Sequence, residues 1–266
     1  MLEVIHISDT HFGPTRDFEI CGSPVCARNE ALVAAIRDLP FIPDLVVHTG
    51  DVANDPDEGA YAIAEEVLSG LPCPVYYVTG NHDDVPMMRE ALTFGPRESL
   101  VAEEENRLCY RVTGLDSEID LVFVDAKVPP EEGPHGFVPE DQMDAVLAAV
   151  SPMRPCAIFL HYPLMPIGSR WTDEHLLVTN GDVFRGRLRE RCGDALRGIF
   201  SGHLHRGLQL YRDGVLQSGV SSPACEFTAG PDDEKIAFVP VAGLAFHHIS
   251  FGPYETMVKQ YSAPCP

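Results

Sequence analysis

The stretch Leu2-Glu3-Val4-Ile5-His6-Ile7-Ser8-Asp9-Thr10-His11 decides the reading. A short apolar run with β-branched residues predicts a strand over Leu2–Ser8, and Asp9 and His11 stand just past its end. The same grammar recurs along the chain. Leu45–Thr49 is followed by Gly50-Asp51, and Val75–Thr79 by Gly80-Asn81-His82-Asp83. Ala157–Leu160 is followed by His161, and Gly198–Phe200 by Gly202-His203-Leu204-His205. Leu121–Asp125 is a further predicted strand. Between them, amphipathic stretches predict helices over Asn29–Leu39, Glu58–Leu68, Val85–Leu92, Glu140–Val150 and Asp182–Cys192. Asn29 is read as the cap of the first and Asp84 as the cap of the third. Strands alternating with helices make an α/β fold, and its ligands are expected beyond the carboxyl ends of the strands.

Past Gly207 the pattern becomes β-rich. Leu208–Tyr211, Val215–Gly219, Leu244–Ser250 and Thr256–Tyr261 are predicted strands, with Asp213-Gly214 a hairpin signal. No repeat or low-complexity linker interrupts the chain, so residues 1–266 are expected to form a single domain with a β-rich part from about 207.

The 266 residues are 45 % hydrophobic and carry a formal charge of −21. That field disfavours a nucleic-acid polymer or an anionic membrane as partner. It attracts divalent cations, which in turn can reverse the sign of the field locally for an anionic substrate. The eight cysteines include no Cys-x-x-Cys pair and are read as thiols of a reducing, cytoplasmic compartment. No apolar run reaches the ~18–20 residues that cross a bilayer. An edge strand in the β-rich part could pair two copies, which leaves a homo-oligomer open without setting a stoichiometry.

Asp9, His11, Asp51, Asn81, His161, His203 and His205 are seven oxygen and nitrogen donors with no thiolate among them. Such a set suits divalent Mn, Fe, Zn or Co and exceeds what one four-coordinate ion needs. Two ions sharing a bridging carboxylate fit it better, with Asp51, central in the set, as the bridge. A metal pair clamps a phosphoryl group and acidifies a shared water. His82, beside a ligand but not required as one, is free to protonate a leaving alkoxide.

The ordered set Asp9-Thr10-His11, Gly50-Asp51, Gly80-Asn81-His82-Asp83, His161 and Gly202-His203-Leu204-His205 resembles the calcineurin-like metallophosphoesterases. Trp171-Thr172-Asp173-Glu174-His175 with Asn180, and Ser221-Ser222-Pro223, look most like the bacterial class III cyclic-nucleotide phosphodiesterases and glycerophosphodiesterases. The chain departs from that branch at Tyr162, where a second His is frequent, and at Ala126, where a Ser is frequent. The resemblance implies two packed mixed β-sheets flanked by helices, a four-layer sandwich. It implies one metal held by Asp9, His11, Asp51 and His205 and another by Asp51, Asn81, His161 and His203. The activity it implies is cleavage of a small phosphodiester, a cyclic nucleotide or a glycerophosphodiester, by in-line attack of a metal-held hydroxide. Trp171, Asp173, His135 and Arg170 are candidate substrate contacts, and Arg16 and Arg28 are further candidates for the phosphate.

Competing readings are a phosphomonoesterase or phosphoprotein phosphatase, and a non-catalytic metal-binding scaffold. Val52 after Asp51 and Asp83 after His82 speak against the protein phosphatases, which usually carry an Arg soon after the Gly-Asp pair and a Glu after the Asn-His pair. A scaffold is expected to lose ligands or His82, and all eight positions are filled.

Overall fold

A computed structural model describes residues 1–96, 98–102, 106–115 and 118–265. The acidic run Glu103-Glu104-Glu105, read from sequence as a solvated surface, lies outside the described residues. Two mixed sheets face each other. The first has five strands in the order Thr256–Pro264, Gly243–Phe251, Leu2–Ile7, Leu45–His48, Val75–Tyr77. The second has seven, in the order Leu208–Arg212, Val215–Gly219, Leu196–Ser201, Cys156–Leu160, Asp120–Val124, Cys109–Val112, Glu98–Ala102. The second sheet has a parallel centre and antiparallel flanks, whereas the first is antiparallel on one side and parallel from Leu2–Ile7 to its Val75–Tyr77 edge. Strands from the C-terminal β-rich part join both sheets: Gly243–Phe251 pairs with Leu2–Ile7, and Val215–Gly219 with Leu196–Ser201.

Strand alternation explains why these runs are apolar throughout. Leu121 and Phe123 enter the core between the sheets, while Val122 and Val124 enter a second core under the helices Glu140–Ala149 and Gly181–Cys192. Ala157 and Phe159 divide from Ile158 and Leu160 in the same way. The helices Val25–Arg37 and Glu58–Leu68 cover the outer face of the first sheet through Leu32, Ile36, Ala60 and Ala64. The result is the helix–sheet–sheet–helix sandwich. At its centre Tyr110, Phe123, Phe159 and Phe200 stack across four adjacent strands, with ring centroids 4.5, 5.4 and 5.1 Å apart.

One local expectation needs correction, and three short elements were not expected. The first helix begins at Val25, four residues before Asn29, so Asn29 is inside it and buried; its amide donates to Thr10 O and Val25 O. Pro24 takes the cap position with no side-chain bond. The short strands Glu98–Ala102 and Cys109–Val112 and the helix Arg170–His175 carry too few periodic residues to stand out in the sequence. Asp84, by contrast, caps its helix by accepting from Met87 N at 3.0 Å. Asp213 and Gly214 take positive φ between two antiparallel strands, as the hairpin signal requires. No described helix is long and apolar enough to cross a membrane. All eight cysteines are free.

Phe159 is fully buried in the middle of the aromatic stack. Phe159→Ala is expected to lower the unfolding free energy by about 3–5 kcal/mol, measured by urea titration. Unchanged stability would mean that the sheets do not depend on this contact.

Candidate metal centre

Parallel register delivers the strand ends to one place. Ile7 pairs with His48, and beyond that pair Asp9 N donates to Gly50 O and His11 N to Asp51 O, each at 3.0 Å. In the second sheet Phe200 pairs with Phe159, and Gly202 N donates to His161 O at 3.0 Å. Both sets of loops leave the same edge of the sandwich, and the carboxylate of Asp9 joins them by accepting from His203 N at 3.0 and 3.1 Å.

At that junction donors of Asp9, His11, Asp51 and His205 lie within 4.8 Å of one another, as do donors of Asp51, His161 and His203. Asp51 belongs to both groups. Asn81 Oδ1 approaches the second, 3.2 Å from His161 Nε2. All seven side chains named from sequence therefore meet at one point; Asn81 is half-buried and the other six are buried.

The backbone is strained where they meet. Asp9, His11, Asp51, His203 and His205 all have positive φ, between 48° and 66°; among the described residues only Cys21 and Asp213 share this with them outside glycine. Such a conformation costs a non-glycine residue roughly 1–3 kcal/mol and persists only where its surroundings over-determine it. Two glycines make room for the crossing chains. A Cβ on Gly80 would fall on the Asp51 carboxylate, and one on Gly202 on Ser8 Oγ and Asp9.

Hydrogen bonds decide the ring tautomers, and the tautomers show what the centre is built to hold. His161 Nδ1 lies 2.6 Å from Thr49 O, and His205 Nδ1 lies 2.9 Å from Cys225 O. A carbonyl only accepts, so both Nδ1 atoms carry the proton and each neutral ring aims its Nε2 lone pair inward. Those lone pairs face carboxylate oxygens: His161 Nε2 is 3.2 Å from Asp51 Oδ2, and His205 Nε2 is 3.3 Å from Asp9 Oδ1. They also face further ring nitrogens, His203 Nδ1 at 3.0 Å and His11 Nε2 at 3.1 Å. A lone pair opposed to an anion is relieved only by a cation between them. Protons can do it: burial opposes a charge on His161, but Asp51 pushes it up to about 9, and Asp9 likewise pushes His205 up to about 10. In return, and against their own burial, Asp9 is held below the usual carboxylate range by His205 and Asp51 well below it by His161. Burial keeps His11 and His203 neutral, down to about 3. Divalent cations relieve the same opposition without protonating the rings, and oxygen and nitrogen donors in this mixture fit transition-metal ions.

Side chains around the donors hold the loops in place. Asp83 is fully buried and accepts from Val52 N, Ala53 N, Gly80 N and Tyr61 Oη, tying the Asp51 loop to the Asn81 loop. Burial, then the Asp51 charge, raises its pKa. Ser222 Oγ donates to Asp9 O at 2.7 Å. The sequence leaves Asp83 evenly divided between bracing a ligand and capping a helix, and the structure makes it the brace; Ser222 stood in a motif string with no role assigned to it. His82 is half-buried at the rim; its N donates to Asp51 Oδ1 at 2.9 Å and its Nδ1 to Asn54 O at 2.6 Å. Its Nε2 has no hydrogen-bond partner among the described residues.

Of the four candidate substrate contacts, Asp173 and His135 are not among the donor groups. Asp173 accepts from Ile167 N and Gly168 N and so braces its own loop. Trp171 stacks on His175 at 4.5 Å and packs against the small apolar cluster of Leu176, Leu204 and Phe227. Arg170 is exposed, and His135 is half-buried beside Gly136, which lies against the Tyr162 ring. The phosphate role read for Arg16 and Arg28 is corrected by their partners. Arg28 is buried and donates to Pro223 O and Val241 O, and Arg16 pairs with Glu30 and Glu66.

The family model described as calcineurin-like phosphoesterase matches residues 2–207, which contain every donor described above. The chain belongs to that family. As a member it is a phosphoric-ester hydrolase of a group that uses divalent metals. It is 27 % identical over 231 residues to the 3',5'-cyclic adenosine monophosphate phosphodiesterase CpdA of Escherichia coli K12, covering 85 % of this chain and 78 % of the relative. It is 30 % identical over 203 residues to the glycerophosphodiester phosphodiesterase GpdQ of Enterobacter lignolyticus, covering 75 % and 69 %. A dimetal phosphatase from Danio rerio shares the fold, with a TM-score of 0.66 at 15 % identity over 97 % of this chain and 98 % of that one.

Gly202→Ala is expected to displace Asp9 and lower the bound metal to less than half the wild-type content by elemental analysis, with the circular dichroism unchanged. Wild-type protein with Mn²⁺ at 100-fold excess over its dissociation constant should gain about 2.7 kcal/mol per site. A melting temperature indifferent to Mn²⁺ would contradict the metal reading.

Proposed function

We propose that this member hydrolyses a small phosphodiester at a pair of divalent cations. The supporting observation is that two donor groups share Asp51. Asp9, His11, Asp51 and His205 would hold one ion, and Asp51, Asn81, His161 and His203 the other. When bound, such a pair polarises phosphoryl oxygens and lowers the pKa of water. The protein's own residues supply the rest. Carbonyl-fixed rings at His161 and His205 keep the donor geometry ready before substrate arrives. His82 is held by Asn54 O with its proton on Nδ1, so Nε2 faces substrate as the atom that takes or gives a proton. As a cation it donates from Nε2 to the departing alkoxide; as a neutral ring it accepts a hydrogen bond there.

The named activities of the relatives, on cyclic AMP and on glycerophosphodiesters, support a diester over a monoester as substrate. Both are small, and the chain's charge of −21 speaks against a nucleic-acid polymer.

With Mn²⁺ present, bis(p-nitrophenyl) phosphate should turn over at least tenfold faster than the monoester. Asp51→Asn and Asn81→Ala should abolish turnover together with metal binding. His82→Ala should lower kcat by about 10²–10⁴-fold with metal content intact. Full activity in the Asp51 and Asn81 variants would remove the site, and faster monoester cleavage would remove the diester assignment.

A further inference from the structure

His48 is fully buried at the end of its strand, three residues before Asp51, and the mechanism above does not use it. Its ring lies between the two loops that carry the carboxylates. Nε2 is 2.9 Å from Thr10 Oγ1, and Gly50 N donates to Nδ1 at 3.3 Å. Thr10 Oγ1 donates its one proton to Val52 O at 3.1 Å. The hydroxyl therefore receives the His48 bond, which puts the ring proton on Nε2 and leaves Nδ1 as the acceptor that Gly50 needs. Every polar atom in this circuit is satisfied in a single tautomer.

The residues it joins are the strained ones. Thr10 lies between Asp9 and His11, and Gly50 precedes Asp51; all three donors have positive φ. Backbone bonds from Asp9 N to Gly50 O and from His11 N to Asp51 O, with Ser8 Oγ donating to Gly50 O at 3.4 Å, already join the two loops; the planar His48 ring adds a rigid side-chain tie between Thr10 Oγ1 and Gly50 N. No other described side chain joins Thr10 to Gly50. Asn29 and Ser222 hold Thr10 O and Asp9 O from elsewhere, and Asp83 holds the far side of the Asp51 loop.

We propose that His48 is a positioning residue of the metal centre, which reinforces the backbone bonds between the Asp9-Thr10-His11 loop and the Gly50-Asp51 loop and so fixes the orientation of their donors. The inference rests on the metal reading given above. A histidine that braces metal donors from behind is worth 10–100-fold in metal affinity where such roles have been measured. A histidine that merely fills the core changes stability and leaves affinity alone.

The test is Mn²⁺ titration of metal-free protein by calorimetry, with thermal melting in parallel. His48→Ala should bind Mn²⁺ 10–100-fold more weakly than wild type. His48→Gln keeps a donor toward Thr10 and His48→Asn an acceptor toward Gly50, and each should recover part of that loss. Thr10→Val, which removes the hydroxyl at nearly constant volume, should weaken binding in the same direction, and combining it with His48→Ala should add little. Thr10→Val carries the test by itself if His48→Ala does not fold. Mn²⁺ affinities within twofold of wild type in the folded variants, whatever their melting temperatures, would overturn the proposal. Wild-type protein that binds no Mn²⁺ would overturn the metal reading and this proposal with it, an outcome recognisable because it appears before any substitution is made.

Discussion

Two imidazole lone pairs are held against two buried carboxylates, and the architecture on either side of them serves to keep them there. Thr49 O and Cys225 O take the Nδ1 protons of His161 and His205, so neither ring can turn its lone pair away without losing a hydrogen bond in a buried site. Asp51 and Asp9 stand opposite at 3.2 and 3.3 Å. With neither a proton nor a metal ion between them the arrangement is repulsive, and it is the pull of Asp51 and Asp9 that raises the proton affinity of His161 and His205. What goes beyond the residue types is that two such groups of donors converge on one carboxylate, Asp51, where protons and divalent cations compete for the same positions.

Holding that arrangement requires five non-glycine residues at positive φ. The strain is local, while the bonds that offset it come from remote segments. Asp83 fixes the Asp51 loop, at Val52, from 31 positions along the chain, and Ser222 fixes Asp9 from 213 positions away. Rigid sheets make such long-range support feasible, since the parallel registers Ile7–His48 and Phe159–Phe200 deliver the loops to a common edge before any side chain contributes. The aromatic stack from Tyr110 to Phe200 lies beneath that edge and keeps neighbouring strands in step.

The strands ending in Asp, Asn and His were legible in the sequence because two independent signals coincide there: an apolar run and a chemically unusual residue just past it. Seven donors and both layers of sheet followed from that coincidence and from the family resemblance. What stayed illegible depends on tertiary contact. Asn29 has the chemistry of a helix cap and is used as a mid-helix brace on Thr10, which no local pattern encodes. Arg28 has the charge for a phosphate and is consumed by two carbonyls brought from beyond residue 220. Trp171 and Asp173 sit in a motif string that suggests substrate, yet their contacts are a stacked histidine and two loop amides. Donors converge because strand ends must, whereas the partners of a cation or an aromatic ring depend on which loops fold over it.

An acidic chain that acts on an anion poses an electrostatic problem, and the centre contains its answer. With a formal charge of −21, the protein as a whole repels a phosphodiester. Asp9, Asp51 and Asp83 place up to three of those negative charges within the centre and its immediate brace. Two divalent ions bring four positive charges, so on the two-metal reading the loaded site has a small positive excess set inside a negative surface. Such a site draws its own cations in through the surrounding field and then presents the opposite sign to substrate over a distance shorter than the ~8–10 Å Debye length. A long polyanion would meet the negative surface beyond that range along most of its length, whereas a small diester would meet mainly the ions. On that reading the same charge distribution would favour loading of the metals and select for substrates that fit within reach of them.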